Sequence, residues 1–200
     1  MQIAALPLLS ALLQAAPQTF DFEDPKGVNN ASFRLDAPLE TITGTTTGVS
    51  GTLTFDQDDP GSLSGFLVID ATTLHVDNPV MKEHLHGATW MNTAEHGEIR
   101  FEVESLSQIE RDGDVVKGHV TGQFSMMGVT REITVPATAT LLPGMLGPRT
   151  NGAMEGDLLV VRTTFSISRA DFGINPDAPK DKVADEVQIQ LAVAGAAPEE

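Results

Sequence analysis

The sequence has no cysteine, no tyrosine, a single tryptophan, and only 12 basic residues against 28 acidic ones. The absence of cysteine excludes disulfides, thiolate metal sites and cysteine nucleophiles together. The shortage of Lys and Arg argues against a nucleic-acid partner, whose phosphates are held by clustered cations. A formal net charge of −16 argues equally against docking on anionic membranes through a basic patch. Long apolar runs are missing too. The stretch from Ile3 to Leu13 falls short of the roughly 20 residues an integral membrane helix requires. What is present suffices for a core. Of the 200 residues 40% are hydrophobic, and a chain of this length fits one domain without a metal or disulfide staple. Nine Phe make the aromatic set almost wholly apolar.

No charged side chain precedes Asp21, and the apolar run is followed by Gln14-Ala15-Ala16-Pro17. This pattern predicts a secretory signal over residues 1–16, with the mature protein periplasmic or secreted. The competing reading is an apolar N-terminal helix of the domain. The domain itself is expected over residues 20–193, followed by a disordered tail of small residues, 194–200.

From Phe20 onward the dominant signal is period-two alternation, the mark of strands with one buried face. Leu53 and Phe55 share a parity, as do Ile99, Phe101 and Val103. So do Val116, Val120, Phe124 and Met126, then Ile133, Val135, Ala137, Ala139 and Leu141. Leu159, Val161, Phe165 and Ile167 follow, and then Val187, Ile189, Leu191 and Val193. Between Phe66 and Ile69 both parities are apolar. Val28–Leu35 and Leu39–Phe55 complete the set. Asp112-Gly113-Asp114 reads as a hairpin, Gln57–Gly61 as a turn, and Pro143–Gly156 as a loop. The prediction is an all-β fold of about eight antiparallel strands. Long strands interrupted by Gly44, Gly48, Gly51, Gly118 and Gly122 favour a barrel over a sandwich. One long crossover carries a short helix, capped by Asn78, with Pro79 at its first position and Gly87 at its end.

Chemical motifs are few. His75, His84, His86 and His96 lie close in sequence and offer a zinc or copper site as one alternative. No nucleophile elbow occurs, and Glu102, Glu104, Asp112 and Asp114 fall on exposed strand positions or in a turn, so nothing points to catalysis. What the pattern does offer is a lumen. Its lining candidates are Phe33, Leu35, Phe55, Phe66, Val68, Trp90, Phe101, Val103, Phe124, Met126, Phe165 and Ile167. Either these side chains fill the barrel, as in a structural or interaction module, or they enclose one apolar ligand. No cofactor is expected beyond such a ligand.

Four segments then carry a family resemblance. Phe165-Ser166-Ile167-Ser168-Arg169-Ala170-Asp171-Phe172-Gly173-Ile174 resembles the late signature of the YceI-like family, with Ala170 where a serine is usual. Gly122–Arg131 is similar to its strand-Gly-Val-Thr-Lys turn. Glu83-His84-Leu85, Trp90-Met91 and Glu98-Ile99-Arg100-Phe101 resemble its middle series, and Gly51–Asp56 resembles an early strand. The resemblance covers Phe20 to Val193. It implies an extended lipocalin-like antiparallel β-barrel, exported and non-catalytic, binding an isoprenoid quinone, a polyprenyl lipid or a similar lipid, and it is compatible with a homodimer. Arg169 then has two readings: it meets a polar lipid head, or it pairs with a carboxylate such as Asp171 beside a closing turn at Phe172-Gly173. The acidic balance disfavours a strongly anionic head group unless Arg162, Arg169, Lys180 or Lys182 supplies a local positive site.

Overall fold

The computed structural model describes residues 16–199, so the expected leader lies outside the described residues except for Ala16. Ten strands form one antiparallel sheet. In chain order they are β1 (Gln18–Asp21), β2 (Asn30–Asp36), β3 (Thr41–Thr46), β4 (Val49–Phe55) and β5 (Ser64–Asp70). Then come β6 (Glu98–Asp112), β7 (Val115–Met126), β8 (Val129–Leu142), β9 (Gly156–Ser168) and β10 (Glu186–Pro198). Two short helices, α1 (Pro79–His86) and α2 (Leu146–Thr150), lie in the connections. The strands run β1-β4-β5-β6-β7-β8-β9-β10, and β10 returns to β1, which closes a barrel of eight. The β2–β3 ribbon branches from β10, and Thr45 bridges to His75.

Local chemistry explains the turns. Gly113 (φ 58°) and Asp114 make a two-residue link between β6 and β7. Met127 (φ 55°) and Gly128 (φ 72°) make another between β7 and β8, both left-handed as a type I′ hairpin requires. At Gly51 (φ 122°) β4 approaches β5 so closely that a Cβ would collide with the Phe66 carbonyl oxygen. β6 carries bulges between Val103 and Ser105 and between Ser107 and Glu110, and the first shifts its inward parity from Val103 to Leu106. In α1 the Asn78 side chain accepts from the Val80 and Met81 amides at 3.0 and 3.1 Å.

Four expectations need correction. The expected disordered tail is strand as far as Pro198: Ala194 to Pro198 pair with Val160 to Gly156 as the end of β10. Its small residues answer a packing demand, since a Cβ on Gly195 would sit 2.7 Å from the Phe22 ring. The domain starts earlier than Phe20, because Gln18 and Thr19 already pair with Phe55 and Thr54. Leu39–Phe55 is two strands, broken at Thr47-Gly48. The Pro143–Gly156 loop contains α2, whose Leu146 is buried.

The barrel's seam is narrow. β1 meets β10 at Asp21 opposite Ala196, and the buried Asn29 stitches the two strands beside it. Its amide donates to the Phe22 carbonyl at 3.0 Å and to the Ala194 carbonyl at 3.1 Å, and its oxygen accepts from the Ala194 amide at 2.8 Å. Replacing Asn29 by Ala strands three backbone groups, one buried and two partly buried, and is expected to cost about 2–4 kcal/mol. Urea denaturation checks this; a midpoint matching wild type would show that the seam closes without Asn29.

Candidate functional site

The core is not continuous. One apolar cluster contains Phe20, Leu53, Phe55, Val116 and Leu159; a second contains Leu35, Ile99, Phe124, Met126, Ile167 and Val187. A cavity of about 650 Å³ is lined by members of both, and the exposed lining residues Glu40, Met81, His84, Asp177 and Lys182 belong to the β2–β3 turn, α1 and the β9–β10 connection, which mark its mouth. Phe33, Leu67, Ile69, Phe101, Val103, Phe165 and Leu191 line it and remain only half-buried, because they face a hollow rather than packed neighbours. The lumen is therefore open, which decides between the filled and hollow readings. Its volume lies in the range that holds a small molecule.

Of the expected lining residues, Phe33, Leu35, Phe55, Trp90, Phe101, Val103, Phe124, Met126, Phe165, Ile167 and Arg169 lie on the cavity wall. Phe66 and Val68 do not. They point outward, where Phe66 lies opposite Thr52 and Glu102 and the Arg100 guanidinium sits 3.8 Å over its ring. The inward parity of β5 belongs to Leu67 and Ile69, which lie opposite Phe101 and Ile99. Val116, Val120, Val135, Ala137, Ala139, Leu159 and Val161 extend the wall, and their alternation is the signal that marks them. The rim residues Glu40, Asn175, Asp177 and Lys182 carry no such signal, because they sit in two connections without alternation, the β2–β3 turn and the β9–β10 segment.

The histidines do not gather. His75 faces Asp77 at 3.6 Å, His84 lines the cavity, and the His96 ring lies against Gly128. His86 is committed to scaffolding: Nε2 donates to the Leu74 carbonyl at 2.9 Å, and Nδ1 accepts from the Thr93 hydroxyl at 3.2 Å. Among the described residues no group of three or more His, Cys, Asp or Glu is placed to hold a metal ion. These two bonds anchor the C-terminal end of α1 across the cavity mouth. No residue of the helix is buried, and its Met81, His84 and Leu85 face the lumen.

Arg169 is the second anchor of the mouth. It follows the last residue of β9 and opens a 3-10 turn, Ala170–Phe172, which Gly173 (φ 70°) ends. The turn drops Phe172 into the core, edge-on to Phe124 at 5.5 Å, and leaves Asp171 exposed. Arg169 thus neither pairs with Asp171 nor offers itself to a ligand. Its guanidinium donates to the carbonyls of Ala184 (3.0 Å), Ile174 (2.6 Å), Val183 (3.4 Å) and Asn175, and lies 5.6 Å from the Trp90 ring centre. Only 1% of the residue is exposed, so it serves as the internal clasp of the 170–185 segment. Burial pushes its pKa down, and the Asp185 carboxylate opposes that.

Asp185 accepts from the Ser168 hydroxyl at 2.9 Å and the Ala170 amide at 3.1 Å, and lies 3.8 Å from Lys180 Nζ. The Ser168 bond is the strongest influence and holds the carboxyl below its ordinary value; partial burial opposes it, and Ala170, Lys180 and Arg169 add to the lowering. A lowered folded pKa means that the stabilisation is complete above the ordinary value and is lost as pH falls from there through the folded value. Unfolding free energy is expected to fall below about pH 4, and less steeply in Asp185→Asn. Superimposable acid limbs for the two proteins would count against this role.

Residues 24–194 match the YceI-like domain family. Protein YceI of Escherichia coli O157:H7 is 30% identical over 94 residues, 47% of this chain and 47% of that protein, so the aligned part spans about half the length of such curated relatives. A UPF0312 protein of Yersinia pestis (strain Pestoides F) is 24% identical over 145 residues, 72% of this chain and 68% of its own. The crystal structure of BcnA from Burkholderia cenocepacia superimposes with a TM-score of 0.67 at 19% identity, covering 83% of this chain and 95% of BcnA. A polyisoprenoid-binding domain from Saccharophagus degradans gives 0.65 at 14% identity, covering 92% of this chain and all of that domain. These structural likenesses establish the shared barrel, and the family match over most of the sequence establishes kinship: the chain belongs to the YceI-like family.

Proposed function

We propose that this protein is an exported lipid-binding barrel that holds one long apolar ligand, an isoprenoid quinone or polyprenyl lipid, in its lumen. The open cavity of about 650 Å³ with its nearly all-apolar shaft carries the reading. Burial of such a chain is favourable by roughly 25 cal/mol per Å² of apolar surface, and the shaft has few polar groups to satisfy. The polyisoprenoid-binding domain from Saccharophagus degradans supports the ligand class. The charge-free stretch 1–16, with its apolar run Ile3 to Leu13, supports export. The role is one of binding rather than catalysis.

The test is native mass spectrometry of gently purified protein, followed by solvent extraction and identification of any co-purified lipid. Ligand-free protein should in turn take up added prenyl lipids. Trp90, the only tryptophan, lies on the cavity wall, so its fluorescence reports entry directly. Protein that purifies empty and takes up no prenyl lipid would overturn the proposal.

A further inference from the structure

We infer that the rim of the cavity selects the ligand's head group, and that it prefers an uncharged hydrogen-bonding head to a phosphorylated one. This rests on the lipid-binding reading and concerns a separate part of the same site. The shaft is apolar, but at the open end the wall includes Glu40, His84, Asn175, Asp177 and Lys182. Three elements bring them together: the β2–β3 turn, α1, and the segment clasped by Arg169. The Leu39 amide donates to the Asp181 carbonyl at 2.9 Å, which fixes the turn carrying Glu40 beside Lys182.

The other cations near the mouth are committed. Arg169 spends its donors on backbone carbonyls, and Lys180 faces Asp185. Among the described residues Lys182 is the one remaining cation on the cavity wall, and it shares the rim with two carboxylates. Among the described residues no ion pair within 4 Å engages Glu40, Asp177 or Lys182. A diphosphate would therefore bring several negative charges to a rim of net negative sign. An alcohol, amide or quinone carbonyl would meet Asn175 and His84, whose side chains both donate and accept. Because the rim is wet, water weakens each charge pair, and the expected discrimination is about tenfold.

The experiment titrates the protein with geranylgeraniol and with geranylgeranyl diphosphate, following Trp90 fluorescence. At low salt the diphosphate is expected to bind about tenfold more weakly, and the gap should close in 1 M salt, where the screening length is about 3 Å. The double variant Glu40→Gln/Asp177→Asn should bring the ratio of the two dissociation constants towards one, and Lys182→Gln should widen it. Equal affinities in the wild type, or a gap that survives the double variant, overturn the head-group assignment. Uptake of neither lipid overturns the lipid-binding reading itself.

Discussion

Arg169→Met is expected to destabilise the protein by about 3–5 kcal/mol. The methionine fills much of the same volume but leaves the carbonyls of Ile174, Asn175, Val183 and Ala184 without their donor. Each buried, unpaired carbonyl costs roughly 1–3 kcal/mol, and those nearest the mouth recover part of it by rehydration. Against a total stability of about 5–15 kcal/mol the loss is severe. Arg169→Lys should recover only a fraction, because one ammonium cannot reach four carbonyls spread around a planar fork. Urea midpoints measure the cost, and hydrogen exchange locates it: protection should fall first in residues 170–185. A variant as stable as wild type would show that the segment holds its shape without the clasp.

Ala139→Phe is expected to separate binding from stability. Ala139 lines the lumen in β8, between Val116 of β7 and Val161 of β9. A phenyl ring there takes the room of about four ligand methylenes, worth roughly 0.8 kcal/mol each, so lipid affinity should fall more than a hundredfold. The ring fills empty space without adding a polar atom, so the unfolding free energy from urea denaturation should hold or rise, by up to about 1 kcal/mol. Phe66→Ala is the control. It removes a larger side chain, but from the outer surface, and should leave lipid affinity alone. If Ala139→Phe binds lipid like wild type, the ligand does not occupy the middle of the shaft.

Those two residues also show what the sequence can and cannot disclose. Ala139 was legible because the flanking strands keep one face apolar for ten residues or more, and in a period-two element that face must turn inward. In β5 both faces are apolar, so parity decides nothing. Only the register with Phe101 and Ile99 turns Leu67 and Ile69 inward and Phe66 outward, and register is a property of paired strands. Arg169 failed for a different reason. Arg-Ala-Asp invites an ion pair, but a 3-10 turn sends the two side chains apart and supplies carbonyls as partners, a choice invisible in residue types. The tail misled because small residues read as lack of structure, when here they make room for Phe20 and Phe22. The rim was out of reach for any pattern: Glu40, His84 and Lys182 become neighbours only once the barrel exists.

The seam at Asp21 and Ala196 has a consequence for how the molecule forms. The hairpins from β6 through β9 join residues near in sequence and can assemble locally. Closing the cylinder instead joins Asp21 of β1 to Ala196 of β10, which makes the closing step a long-range contact with the largest loop-entropy cost. β10 is also the strand from which the β2–β3 ribbon hangs, so that ribbon too waits for β10. Without β10 the sheet has no strand to close it, and its apolar inner face lacks its last wall. The hollow, and any affinity that depends on it, comes into being only when β10 pairs with both β9 and β1.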